Sequence, residues 1–272
     1  MSAAQSLDRA PSAWRVIRFD VIDSTNEEAR RRALAGDPGC LWIVAEEQAA
    51  GRGRRGRSWV SPRGNLHASA LLIDPCPPAL APQLGFVAGV ALAQAARDAG
   101  ARGAGLKWPN DLIFGGAKCA GILVEGAALA GGRAACVVGI GVNCARAPQG
   151  LDYSTARLTR EGGGAISPDE LFARLMSRFD EALRQWRAGQ AFEAIRSAWL
   201  DHALSLGEHV TIEDGAGRRV GVFEGLDANG RLLFRSRDGL EALEAGDVSI
   251  SSSSAGADDP PSPALRAREG RA

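Results

Sequence analysis

Two short stretches of this sequence combine charge with backbone freedom in a way that suits work on anions. The first is Gln48-Ala49-Ala50-Gly51-Arg52-Gly53-Arg54-Arg55-Gly56-Arg57-Ser58-Trp59. Glycines let a backbone approach a ligand closely. Guanidinium groups grip carboxylate or phosphate oxygens in pairs and stay charged when desolvated. A reaction that presses a carboxylate against ATP needs such neutralisation, because two anions meet and pyrophosphate leaves. The spacing Gly51-x-Gly53-x-x-Gly56 also fits the dinucleotide-binding fingerprint, but that fingerprint must open a helix. Here it runs into Trp59-Val60-Ser61-Pro62-Arg63-Gly64, which cannot continue one. The alternative to an anion-gripping loop is a solvated basic loop.

The second stretch is Lys107-Trp108-Pro109-Asn110-Asp111, followed by Lys118-Cys119-Ala120-Gly121-Ile122. Asn110 and Asp111 offer oxygens for Mg²⁺ or for a nucleotide's polar groups. Lys118 opens an apolar strand, where its ammonium can meet a reacting carboxylate or an α-phosphate. Ordinary turn chemistry at Asn110-Asp111 and an edge-guarding role for Lys118 account for the same residues. Two further segments join the candidates. Ser24-x-x-Glu27 within Asp23-Ser24-Thr25-Asn26-Glu27 fits a helix capping box, and such a turn also presents hydroxyls and amides. Gly139-Ile140-Gly141-Val142-Asn143 is a strand whose glycines mark a close approach or a bulge. His67, His202 and His209 lie far apart and read as structural or exposed.

These pieces need a scaffold. The pattern predicts a strand over Trp14–Val21, a helix from about Glu27 to Ala35, a strand over Leu41–Ala45 and a loop over 48–64. A strand over Leu66–Ile73 and a helix over Leu80–Gly100 follow. Gly105–Trp108, Leu112–Phe114, Cys119–Glu125 and Ala135–Val142 read as strands joined by tight turns, including Gly115-Gly116 and Gly131-Gly132. Neighbours joined that way are antiparallel. Residues 145–167 read as a polar surface loop, and Pro168–Ala188 and Phe192–Ala203 as helices. After about Leu206 the texture changes to short runs (His209–Glu213, Arg219–Gly225, Arg231–Ser236, Leu240–Ile250) separated by Asp-Gly and Asn-Gly pairs. That spacing predicts a small antiparallel barrel. Residues 1–13 read as a loose tail and 251–272, rich in Ser, Pro, Asp and Ala, as a disordered one.

Composition narrows the function classes. The formal net charge is zero, which argues against a global field for nucleic acid. Five scattered cysteines with no CxxC pair fit a reducing cytosol and no zinc site or disulfide framework. The chain shows no signal-like apolar run, and Leu84–Ala96 is too short for a bilayer. A cytoplasmic protein with no membrane partner is expected.

Taken together and in this order, Asp23–Asn26, Gln48–Trp59, Lys107–Asp111, Lys118–Glu125 and Gly139–Asn143 resemble the biotin protein ligases over roughly residues 14–250. The resemblance implies an α/β (α+β) catalytic domain over 14–205, with a mixed, largely antiparallel sheet and helices similar to class II aminoacyl-tRNA synthetases. An SH3-like β-barrel over 206–250 agrees with the turn spacing. It implies ATP-dependent formation of biotinyl-5'-AMP, with Mg²⁺, and transfer of biotin to a lysine of a biotin carboxyl carrier protein, such as that of acetyl-CoA carboxylase. Biotin would meet Ser24, Thr25, Asn26, Gln48, Gly51, Arg52, Arg54, Lys118 and Gly121. The nucleotide would meet Arg54, Arg57, Trp59, Lys107, Asn110, Asp111, Lys118 and Asn143. Lys118, Arg52 and Arg54 would be catalytic, and Asp111 would serve the metal.

Some members of the family carry an N-terminal DNA-binding domain. About a dozen residues precede the first strand here, so DNA binding is not expected. His67 stands where an aromatic residue is expected. Monomer and homodimer both remain open. The nearest rival is a lipoate or octanoate ligase. Ser24, Thr25, Asn26 and Gln48 favour biotin, whose ureido ring needs polar partners. A nucleic-acid module using the Arg loop is the rival of another class.

Overall fold

The computed structural model describes residues 14–250 apart from Ala216 and Ala245. The tails over 1–13 and 251–272 lie outside the described residues. Twelve strands and four longer helices follow the order β1 (Arg15–Ile22), α1 (Thr25–Leu34), β2 (Leu41–Gln48), β3 (Leu66–Ile73), α2 (Gln83–Asp98), β4 (Gly105–Lys107), β5 (Asp111–Phe114), β6 (Ala117–Ala128), β7 (Ala134–Val142), α3 (Pro168–Trp186), α4 (Phe192–Asp201), β8 (His209–Asp214), β9 (Gly217–Leu226), β10 (Leu232–Ser236), β11 (Gly239–Leu243) and β12 (Asp247–Ile250).

The first seven strands form one sheet in the order β1-β2-β3-β7-β6-β5-β4. Only β1 and β2 are parallel, as their connection through α1 requires; every other pairing is antiparallel. Strand alternation sends side chains to two faces. Trp42, Val44, Leu66, Ala68, Ala70, Val138, Ile140 and Val142 point to one face and join α2, α3 and α4 in the main core. Leu41, Ile43, Leu71, Ala135 and Val137 point to the other and pack on Ala29 and Ala33 of α1. α2 can lie close because its buried stripe is mostly Ala and Val, and Gly89 admits the indole of Trp199.

α1 therefore covers one end of the second face and leaves the rest bare of helices. Across this bare area runs a single cross-strand row: Ala45, His67, Gly141, Gly121, Asp111, Lys107, each residue paired with the next on adjoining strands. Paired residues share a face. The row thus sets a histidine, two side-chain-free positions, a carboxylate and a lysine in a line.

The helix α1 begins two residues before its predicted start. Ser24 is its N-cap and accepts from Glu27 N–H, so Thr25 and Asn26 lie in the first turn. The last five strands form a second sheet ordered β11-β10-β9-β8-β12. The expected barrel is an open sheet. Leu240–Ile250 is not one strand: it splits into β11 and β12, which go to opposite edges and pair with β10 and β8. The two sheets meet at Trp108, whose Nε1–H donates to Gly230 C=O at 3.1 Å in a buried contact. The peptide from Trp108 to Pro109 is cis.

Candidate active site

A partly open pocket lies on this second face of the sheet. Its floor is Gly139, Gly141, Gly121 and Leu123, its α1 side Ser24, Thr25 and Asn26, and its roof the Arg loop. The glycines matter because other groups occupy the space of their absent side chains. A Cβ on Gly139 would sit 2.2 Å from Asn26 Oδ1, and one on Gly141 would sit 2.3 Å from Trp59 Nε1.

At the α1 end the polar groups form a chain. Gln48 Oε1 accepts from Thr25 N–H at 2.8 Å and from its hydroxyl at 3.0 Å, and Gln48 Nε2 donates to Ser61 Oγ at 2.8 Å. Ser69 Oγ lies 2.7 Å from Thr25 Oγ1 and 2.6 Å from Asn26 Oδ1, and Asn26 Nδ2 donates to Glu125 at 2.7 Å. Ser24, Thr25, Asn26 and Ser69 are all buried. A buried polar group left without a partner costs about 1–3 kcal/mol, so this chain holds each side chain in one orientation.

The Arg loop is a tight hairpin. Trp59 N–H donates to Gly51 C=O at 2.9 Å and Gly53 N–H to Arg57 C=O at 2.7 Å. Its tip turns through Arg55 and Gly56, both with positive φ. Gly51 is required there, since a Cβ would meet Trp59 O at 2.4 Å. Arg52 pairs with Glu125 at 3.0 Å and with Glu27 at 3.4 Å. Arg54 donates to Asn110 Oδ1 at 2.8 Å, and Asn110 Nδ2 donates to Ile122 C=O at 2.8 Å. The loop is thereby moored on both banks of the pocket.

At the far end, Lys118 Nζ lies 2.7 Å from Asp111 Oδ1 and Lys107 Nζ 3.2 Å from Asp111 Oδ2. These are the only two lysines among 32 basic residues of the chain. Each of the two Asp111 carboxylate oxygens thus faces an ammonium. The ammonium of Lys118 also lies over two rings, 5.6 Å from that of Trp59 and 5.3 Å from that of Tyr153. Burial, together with the Asp111 and Asp152 carboxylates, pushes the Tyr153 phenol up.

Of the residues singled out from sequence, Ser24, Thr25, Asn26, Gln48, Arg52, Arg54, Arg57, Trp59, Asn110, Asp111, Lys118 and Gly121 share the pocket wall. Gly51, Lys107 and Asn143 do not line it. Gly51 shapes the hairpin and Lys107 sits behind Asp111. Asn143 is buried, taking Leu158 N–H on its carbonyl at 2.7 Å and giving its own N–H to Cys119 C=O at 2.8 Å. The sequence reading missed Ser69, Tyr153 and the pairing role of Glu125. His67 is on the pocket wall and buried, with Nε2 at 3.2 Å from Pro62 O. That bond to a carbonyl assigns the proton to Nε2, and burial pushes its pKa down.

Residues 18–143 match the biotin/lipoate A/B protein ligase family, and residues 205–251 match the biotin protein ligase C terminal domain. A biotin--[acetyl-CoA-carboxylase] ligase of Paracoccus denitrificans is 41% identical over 237 residues, covering 83% of this chain and 96% of that protein. The structure of the Aquifex aeolicus biotin protein ligase in complex with biotin and ATP superposes with a TM-score of 0.73 at 29% identity, covering 86% of this chain and 97% of that one. The Leishmania major biotin protein ligase in complex with biotinyl-5-AMP gives a TM-score of 0.60 at 26% identity, covering 86% of this chain and 100% of that one. The fold and site thus define an acyl-activating protein ligase of the biotin/lipoate type. Within that class, the chain belongs to the biotin protein ligases.

Proposed function

We propose that this chain activates biotin with MgATP as biotinyl-5'-AMP and transfers the biotin to a lysine of a biotin carboxyl carrier protein, with residues 14–205 as the catalytic domain and 206–250 as a smaller second domain. One observation carries the assignment of roles. The polar side chains of Ser24, Thr25, Asn26 and half-buried Gln48 stand at one end of a glycine floor, Lys118 and Arg54 stand toward the other, and Arg52 is held on the α1 side by Glu27 and Glu125.

The polar end suits a ureido ring, which offers one carbonyl acceptor and two N–H donors. The cationic end suits the carboxylate and the phosphates. In the first step a carboxylate oxygen of biotin attacks the α-phosphorus, and the bond to the bridging oxygen of pyrophosphate breaks. Lys118, Arg52 and Arg54 offset the charge that builds on the non-bridging oxygens, and Arg57, Trp59, Asn110 and Asp111 serve the nucleotide. In the second step the neutral ε-amine of the carrier lysine attacks the acyl carbon. AMP leaves with the bonding pair, and the amine's proton passes to solvent. Positioning and neutralisation supply the acceleration; no side chain becomes covalently attached.

No helix among the described residues is long and apolar enough to cross a membrane, and a cytoplasmic site of action fits the five free cysteines, four of them buried. The deciding experiment mixes the protein with MgATP, a carrier domain and biotin, lipoate or octanoate in turn. A carrier mass gain of one biotinyl group with biotin alone is expected. A gain with lipoate or octanoate instead would overturn the assignment.

A further inference from the structure

Tyr153 sits in a segment that no site motif covers, yet it lines the pocket. Its loop is fastened to the strand that carries Lys118: Lys118 N–H donates to Ser154 C=O at 3.0 Å, and Ala156 N–H donates to Lys118 C=O at 2.9 Å. The backbone of residues 154–156 thus runs alongside Lys118 as a short parallel bridge. Tyr153 immediately precedes that bridge. Its ring centroid lies 5.3 Å from Lys118 Nζ, and the Trp59 ring centroid lies 5.6 Å from the same ammonium.

We infer that Tyr153 is a positioning residue for Lys118, forming with Trp59 an aromatic bracket that holds the ammonium beside the reacting centre. This rests on the proposed function above. Asp111 alone would draw the ammonium toward the floor, because an ion pair at 2.7 Å is directional. A ring face attracts a cation through its quadrupole without fixing any one N–H. The bracket therefore keeps Lys118 near the path of the α-phosphate while leaving its donors free to exchange Asp111 for substrate oxygens. Only Trp59 belongs to the Arg loop. Tyr153 travels with the backbone of Lys118, so it keeps half of the bracket in place whatever the Arg loop does.

The test compares Tyr153→Phe, which keeps the ring, with Tyr153→Leu, which keeps bulk but loses the quadrupole. The Y153L variant is expected to lower kcat for biotinyl-adenylate formation about fivefold, with KM for biotin unchanged, and Y153F to restore it to within about twofold. A second readout needs no activity. A lysine-acylating reagent applied to the empty protein has two side-chain targets, so Lys107 serves as the internal reference for Lys118. The ratio of Lys118 to Lys107 labelling is expected to rise about threefold in Y153L and stay level in Y153F. Equal labelling ratios in wild type and Y153L, or a Y153F as impaired as Y153L, would overturn the bracket. Wild-type protein that forms no biotinyl-adenylate would instead overturn the proposed function, and the labelling ratio would still judge the bracket.

Discussion

The indole of Trp59 lies on Gly141 with no room for a side chain between them: a Cβ there would sit 2.3 Å from Nε1 and 2.6 Å from Cε2. Gly121, paired with Gly141 across β6 and β7, would bring a Cβ within 3.3 Å of the same ring. Two glycines on adjoining strands thus make the seat into which the Arg loop lowers its aromatic residue.

Gly141→Ala is expected to unseat that ring. Overpacking costs about 1–3 kcal/mol, and the hairpin relieves it by lifting rather than by distorting the sheet. Adenylate formation, followed by pyrophosphate exchange, should fall about tenfold or more. The thermal midpoint should stay within about 2 °C of wild type, since the sheet is undisturbed. Unchanged exchange would show that the seat is not used during the reaction.

Lys118→Ala removes the cation at the reacting end. Loss of one donor aimed at developing negative charge lowers kcat by about 100-fold or more. The effect belongs to the first step. Transfer from supplied biotinyl-5'-AMP to the carrier should fall much less, and the two rates measured side by side separate the steps.

Glu125 holds both Arg52 and Asn26. In Glu125→Gln the ion pair becomes a neutral contact. The pair is partly exposed, and such pairs are worth about 1 kcal/mol at most. Cleavage by trypsin within 52–57 in the empty protein should therefore speed up by up to about fivefold. Addition of biotinyl-5'-AMP should slow cleavage in both proteins. An E125Q cleavage rate equal to wild type would mean that Glu125 does not moor the loop.

Asn65 is buried and takes three backbone N–H groups on one oxygen, those of Cys144, Ala145 and Arg146, at 3.0–3.1 Å. It also donates to Arg146 C=O at 2.8 Å. Asn65→Ala strands several of these groups at once and should cost about 2–4 kcal/mol in urea unfolding. Asn65→Asp keeps the acceptor and should cost less than the alanine variant.

His67 adds a pH dependence. Burial lowers its folded pKa below the unfolded value of 6.5, so the unfolded chain binds the proton more tightly. The stability linked to neutral His67 is complete above about pH 6.5 and drains away as pH falls toward the folded value. His202, half-buried, has the same sign. Urea unfolding of His67→Phe at pH 5 and pH 7.5 should show a smaller drop between the two than wild type. An equal drop would place the titration elsewhere.

Much of the site was legible because its residue types are unusual where they stand. Arginine alternating with glycine ahead of Trp59 and Pro62 admits few interpretations, and a lysine opening the apolar run Cys119–Val124 stands out from it. Ser69 and Tyr153 carried no such signal. One is a small polar residue inside an apolar strand, and the other sits in a loop of polar composition. The glycines Gly121, Gly139 and Gly141 were visible, but their purpose depends on strand register, which aligns residues twenty positions apart. The barrel expectation fails because what reads as one strand is two, β11 ending at Leu243 and β12 starting at Asp247, and they go to opposite edges of the sheet.

The two lysines that share Asp111 have a consequence for the whole chain. An acyl-adenylate is open to attack by whatever neutral amine it meets, including those of the protein that made it. Guanidinium groups stay protonated and do not respond. With 30 of its 32 cationic side chains arginine and both lysines paired to one carboxylate inside the pocket, the molecule presents almost no amine of its own to its product. Intermediate that escapes the pocket is not squandered on self-labelling, so the carrier's lysine faces little competition from the catalyst.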